Sequence, residues 1–138
     1  MSAEDIIGKI MRKNVVTVQG HQTVRDALKL MVKNNIGCVV VVEGEKPVGI
    51  FTERDIICKM LEEKDLLDMH VSKIAVRPLV TVKPSTNIVT AFELMNKNKF
   101  RRLHVVEEGR LVGIVTQTDL SFWVIKVASE GGRTAGAE

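Results

Sequence analysis

Val48-Gly49-Ile50-Phe51-Thr52-Glu53-Arg54-Asp55 occurs again, with three differences, as Val112-Gly113-Ile114-Val115-Thr116-Gln117-Thr118-Asp119. The offset is 64 residues, and working outward from this octet it holds without a gap. Val16-Thr17-Val18 falls on Val80-Thr81-Val82, and Val41-Val42-Glu43 falls on Val105-Val106-Glu107. Ala27, Leu30-Met31 and Lys33-Asn34 fall on Ala91, Leu94-Met95 and Lys97-Asn98. Such a period exceeds the roughly 20–50 residues of solenoid repeats, so two copies imply a duplicated supersecondary unit folding as one pseudo-symmetric domain. In both copies a glycine-led strand end runs into Thr-x-x-Asp.

The 138 residues suffice for one compact domain, whereas each half alone would be marginal. Hydrophobic residues make up 45% of the chain, with no Tyr, one Trp and four Phe, so the core must be built mainly from Val, Ile, Leu and Met. A net charge of +3 suits an anionic ligand and is too small to argue for nucleic acid. No apolar run approaches the roughly 18 residues of a membrane span, and the amino terminus lacks a signal-peptide core, so a cytoplasmic protein without membrane contact is expected. Cys38 and Cys58 sit in apolar stretches and are expected to be buried free thiols. His21, His70 and His104 are not at metal-ligand spacing, and Asp65, Asp68 and His70 read as a solvated linker, so no metal site is expected.

Ser2 and the acidic residues after it open an expected lead-in helix carrying Ile6, Ile7, Ile10 and Met11. Val15–Val18 reads as a strand. Thr23 caps a helix with Val24, Ala27, Leu28 and Met31 on one stripe, ended by Asn34-Asn35. Cys38–Val42 is β-branched and apolar throughout, the pattern of a strand covered on both faces. Glu43–Pro47 is turn chemistry, Val48–Phe51 returns as a hairpin partner, and a helix follows over 53–63. The second half repeats the plan, with strands at 79–82, 103–106 and 111–115 and helices at 88–98 and 117–128. Residues 129–138 lack apolar content and read as a disordered tail.

Two helices are apolar nearly all round: 117–128, with Leu120, Phe122, Trp123, Val124, Ile125 and Val127, and 53–63, with Ile56, Ile57, Cys58, Met60 and Leu61. Helices of that kind are buried on more than one side, so both are expected to form the interface of a homodimer.

The motif carries the chemistry. Thr52 ends a strand, and Asp55 follows in the first turn of a helix. A hydroxyl, a carboxylate and unpaired backbone N–H groups thus meet at one helix N-terminus. The N–H donors and the helix dipole favour a phosphate there, while a carboxylate can accept both hydroxyls of a ribose. Gly49 and Gly113, just upstream, let a ligand or a backbone approach closely. Thr-x-x-Asp is also a variant of the capping box, and capping would be duplicated with the fold. Spacing alone leaves both readings open.

The whole pattern closely resembles the cystathionine-β-synthase (CBS) domain, which occurs in tandem pairs called Bateman modules. The resemblance rests on Val16-Thr17-Val18, the helix with Ala27, Leu30 and Met31, the strand ending Val41-Val42-Glu43, the octet ending in Asp55, and their copies. It covers roughly Ile10 to Leu61 and Ile74 to Ile125. It implies an α/β (α+β) fold of two β-α-β-β-α repeats related by a pseudo-two-fold axis. The corresponding divisions are a lead-in helix (1–12), repeat 1 (13–66), repeat 2 (67–128) and the tail (129–138).

The resemblance also implies ligand binding rather than catalysis, with an adenosine nucleotide (AMP, ADP or ATP) in the clefts between repeats as a regulatory ligand. Carried onto this chain, Asp55 with Thr52 and Asp119 with Thr116 hold ribose and phosphate. Val16-Thr17 with Ile36-Gly37-Cys38, and Val80-Thr81 with Phe100-Arg101-Arg102, frame the adenine. The two sites should differ, because Arg54 aligns with Thr118, and Gly37-Cys38 with Arg101-Arg102. Arg54, Arg101 and Arg102 are the best phosphate ligands, since the guanidinium fork donates parallel hydrogen bonds. His104 departs from the proline often found there in the family.

The expected function is therefore a stand-alone regulatory sensor of energy or metabolite state, acting through an effector protein or its own assembly. The alternative is a regulatory module binding nucleic acid or S-adenosylmethionine. Against nucleic acid, the chain shows no aromatic platform, helix-turn-helix signature or long basic stripe. Against an enzyme, it shows no Ser/His/Asp or Cys/His arrangement and no P-loop, and no catalytic cofactor is expected.

Overall fold

Residues 5–75 and 79–137 are described by a computed structural model. The expected Ser2 cap falls outside them. In chain order the elements are β1 (Thr17–Gln19), α1 (Val24–Asn34), β2 (Cys38–Glu43), β3 (Lys46–Thr52) and α2 (Glu53–Met60), then β4 (Thr81–Val82), α3 (Ile88–Asn98), β5 (Arg102–Glu107), β6 (Arg110–Thr116) and α4 (Gln117–Ala137). Among the described residues this is a mixed α+β fold with two three-stranded sheets, ordered β1-β2-β3 and β4-β5-β6. In both, the first strand runs parallel to the second, Thr17 opposite Val40 and Thr81 opposite His104. A parallel neighbour requires a crossover, which α1 and α3 supply. β2 and β3 are antiparallel, with a register shift between Val41 and Val42.

Local chemistry sets the helix ends. Thr23 closes a reciprocal capping box with Asp26, and Asn87 Oδ1 accepts from the N–H groups of Val89 and Thr90. Both helices stop on a left-handed residue, Asn35 and Lys99, whose N–H bonds back to the last turn. The tight turn after β5 needs positive φ at Glu108 and Gly109 in succession, matching the twist of the hairpin.

The chain divides into two compact units, Asn14–Val80 with Glu108–Leu111, and Met1–Lys13 with Thr81–Glu107 and Val112–Glu138. In the first, Val18, Val24, Ala27, Met31, Val39, Val41 and Phe51 form a core completed by Leu66, Val71 and Ile74 from the segment after α2. Val40 and Val42 are buried as well, so β2 is covered on both faces as expected. In the second unit the buried residues are Ile7, Ile88, Ala91, Met95, Leu103, His104, Val105, Val115 and Leu120.

Several expectations need correction. Among the described residues the lead-in is no α-helix: it makes one 3-10 turn, Ile7–Lys9, with isolated β-bridges at Ile6 and Arg12 on either side. Its backbone is taken up by the second repeat, with Ile7 N–H bonding to Thr86 O, Gly8 N–H to Pro84 O and Ile88 N–H to Asp5 O. Residues 70–72 do the same for the first repeat: Thr23 and His70 form a β-bridge, and Ser72 N–H bonds to Gly20 O. Each repeat's lead-in thus completes the other repeat's unit. α2 ends at Met60 rather than 63, and α4 continues beyond 128 to Ala137, where a disordered tail was expected. Three glycines, Gly131, Gly132 and Gly136, weaken that stretch, but it contains no proline to stop the helical ladder.

Cys58 is exposed and Cys38 half-buried, so neither is a core thiol. Nor are the outer faces of α2 and α4 covered within the chain: Ile57, Met60 and Leu61, and Phe122, Val124, Ile125 and Val127, stand exposed. Among the described residues no helix is long and apolar enough to cross a membrane.

Candidate ligand site

At the first motif Thr52 is extended backbone at the N-cap of α2. Its Oγ1 accepts from Asp55 N–H at 3.2 Å. Asp55 Oδ2 in turn accepts from Thr52 N–H at 2.7 Å and from the Thr52 hydroxyl at 3.0 Å. The capping reading of the motif is therefore correct as geometry. It consumes one carboxylate oxygen: among the described residues Asp55 accepts only from Thr52 and only on Oδ2, and Oδ1 is left over.

Pairing brings the framing residues to the same end of the sheet. Cys38 lies opposite Thr52, Glu53 N–H bonds to Gly37 O at 3.0 Å, and Val40 N–H bonds to Val16 O at 3.3 Å beside Thr17. Ile36 is half-buried against the core, and Arg54 is exposed on the first turn of α2.

The second motif repeats the cap. Thr116 N–H donates to Asp119 Oδ2 at 3.0 Å, and Asp119 N–H to Thr116 Oγ1 at 3.2 Å. Gln117 N–H bonds to Arg101 O at 2.9 Å, the counterpart of Glu53 on Gly37. Phe100 and Arg101 line a depression of about 270 Å³ with Met95, Asn96, Lys99 and Gln117. Arg101 and Thr118 are exposed, Arg102 is half-buried, and Thr81 lies opposite His104 in the sheet. Val80, the neighbour of Thr81 in the chain, falls in the other unit. A larger groove of about 420 Å³ on α1, lined by Arg25, Leu28, Lys29, Val32, Lys33 and Leu67, contains none of the expected site residues.

One residue of this site escaped the sequence reading. Arg12 forms a β-bridge with Ile114, its N–H bonding to Ile114 O at 2.9 Å and its O accepting from Ile114 N–H at 2.9 Å. Its guanidinium meets Asp119 side-on, Nη2 to Oδ1 at 2.8 Å and Nε to both oxygens at 3.2 Å. Gly113 makes the approach possible: a Cβ there would stand 2.5 Å from Met11 Sδ and 3.1 Å from Arg12 O. The glycine serves the lead-in backbone rather than a ligand. Partial burial pushes the Asp119 carboxyl up, but the Arg12 hydrogen bond, the Thr116 N–H and hydroxyl and the Arg12 charge outweigh it, leaving the group below the usual carboxylate range. The only signal in the sequence was the mismatch at this offset, where Arg12 aligns with Val76.

The two motifs lie within matches to the CBS domain family model, which cover residues 4–62 and 71–126. An uncharacterized protein of Methanocaldococcus jannaschii is 40% identical over 88% of this chain and 64% of its own length. The CBS domain-containing protein YhcV of Bacillus subtilis is 34% identical over 80% of this chain and 79% of its own length. Of three archaeal relatives that it matches, the chain spans 40 to 64% of the length. Among solved structures, CBSX2 in complex with AMP superimposes with a TM-score of 0.77 at 26% identity, over 88% of this chain and 97% of that one. With both repeats matched and the mixed α+β fold shared, the chain belongs to the CBS-domain family and carries two CBS domains in tandem.

Proposed function

We propose that this chain binds an adenosine nucleotide (AMP, ADP or ATP) at its two Thr-x-x-Asp motifs and acts as a regulatory sensor of energy or metabolite state. The observation that carries the reading is the AMP found in the CBSX2 complex, a protein with this fold. The site geometry supports it, since in each unit a carboxylate stands at a helix N-terminus beside the sheet end named for the adenine. Asp55 Oδ1 is free to take a ribose hydroxyl, and the first-turn N–H groups suit a phosphate. Arg54, Arg101 and Arg102 supply the positive charge.

Regulation follows from differential affinity: a ligand that prefers one conformation shifts the population toward it. Exposed Ile57 and Met60 on α2 and Leu61 just after it, with Phe122 and Ile125 on α4, support a homodimer through these helices, and an effector protein would read its state.

The test is isothermal titration calorimetry of AMP, ADP, ATP and S-adenosylmethionine against the wild type, Asp55→Ala and Asp119→Ala. Saturable binding of one adenosine nucleotide, with one site lost in each variant, is the expected result. No heat from folded, ligand-free protein would reduce both motifs to helix caps. Preference for S-adenosylmethionine would move the ligand class, and binding that survives both substitutions would move the site.

A further inference from the structure

The two motif carboxylates are alike in sequence and unlike in what they have left to offer. An ionised carboxylate has about four lone-pair positions, two on each oxygen. On Asp55 two are used, both on Oδ2. On Asp119 three N–H donors engage both oxygens: Arg12 Nη2 donates to Oδ1, the single Arg12 Nε hydrogen is shared between Oδ1 and Oδ2, and Thr116 N–H donates to Oδ2. A ribose diol needs two acceptors, and with the guanidinium lying across both oxygens Asp119 keeps neither oxygen clear for it while Arg12 stays. Arg12 is not a side chain resting there by accident of a mobile terminus, because its backbone is bonded on both sides to Ile114, five residues before Asp119. The aligned position before the second repeat is Val76, whose side chain has no donor, and among the described residues Asp55 accepts from Thr52 alone.

We propose that Arg12 is a specificity-determining residue that competes with the ligand's ribose for Asp119, making the Asp55 site the first to fill and the Asp119 site the weaker one. The inference rests on the nucleotide reading above. The competitor is of modest strength: the Arg12 side chain is 64% exposed, though Asp119 is only 16% exposed. Water can take over the guanidinium once it leaves, so the second site is weakened rather than closed.

The experiment isolates the second site and then removes its competitor. AMP is titrated into Asp55→Ala and into Asp55→Ala/Arg12→Met, where methionine keeps an apolar stem without the donors. Asp55→Asn replaces Asp55→Ala if the loss of the cap unfolds α2, since the amide oxygen can still accept from Thr52. The double variant should bind AMP about two- to fivefold tighter, the span expected from releasing an exposed ion pair. Unchanged or weaker binding overturns the competition and leaves the nucleotide reading standing; no AMP binding by the wild type overturns both. A readout without ligand separates them further. The Asp119 carboxyl, followed by NMR, should titrate at higher pH in Arg12→Met, and an unmoved titration would show that the pair does not form in solution and sink the inference alone.

Discussion

Replacing Gly113 by alanine probes the element that carries Arg12 to Asp119. The added Cβ would lie 2.5 Å from Met11 Sδ, 2.8 Å from Met11 Cγ and 3.1 Å from Arg12 O. The thioether can turn away at little cost, but the Arg12 carbonyl is held to Ile114 N–H and cannot. Overpacking of this kind costs about 1–3 kcal/mol. Alanine recovers about 0.5–1 kcal/mol of the backbone entropy that glycine loses in a strand. A net destabilisation of about 1–2 kcal/mol remains, in which loosening of the Arg12–Ile114 bridge is included. Urea unfolding followed through Trp123 on α4 measures it, with Met11→Ala and the double variant closing a thermodynamic cycle. The cycle should return only part of the loss, because trimming Met11 does not move the Arg12 carbonyl. A Gly113→Ala protein as stable as the wild type, or more so, would refute the claim that the lead-in is clamped against β6.

Acid should reveal the same contact. The Asp119 carboxyl is depressed in the folded protein, so its contribution is present above the ordinary carboxylate value of 3.8 and is lost as pH falls through the lowered folded value. The urea midpoint of the wild type should therefore fall more steeply than that of Arg12→Met between about pH 5 and about pH 2, and parallel curves would contradict the ion pair. At the proposed dimer face, Phe122→Asp should halve the mass seen by light scattering. Folding should change by no more than about 0.5 kcal/mol, because the side chain is 72% exposed within the chain. A wild type that is already monomeric would remove the dimer proposal.

The readings that came directly from sequence are those whose physics is local. α1 and α3 match their expected spans because both ends are set within a few residues, by Thr23 and Asn87 at the start and by left-handed Asn35 and Lys99 at the close. Strand ends moved by a residue or two, since pairing decides them: β1 is Thr17–Gln19 because its partners are Val40–Val42. The Thr-x-x-Asp motifs were legible both as caps and as sites, and the structure shows the cap in both while leaving different acceptor capacity in each.

The sequence by itself determined the duplication, the β-α-β-β-α plan of each repeat and the two motif aspartates, because period, capping and β-branched runs are properties of neighbouring residues. Only tertiary structure decided that each lead-in completes the other repeat's unit, that α2 and α4 keep apolar faces open, and that Arg12 engages both oxygens of Asp119 across 107 residues of chain. A contact of that separation leaves no period in the sequence. It exists because Gly113 lets one backbone pass close to another, and the resulting bridge sets a guanidinium beside a carboxylate.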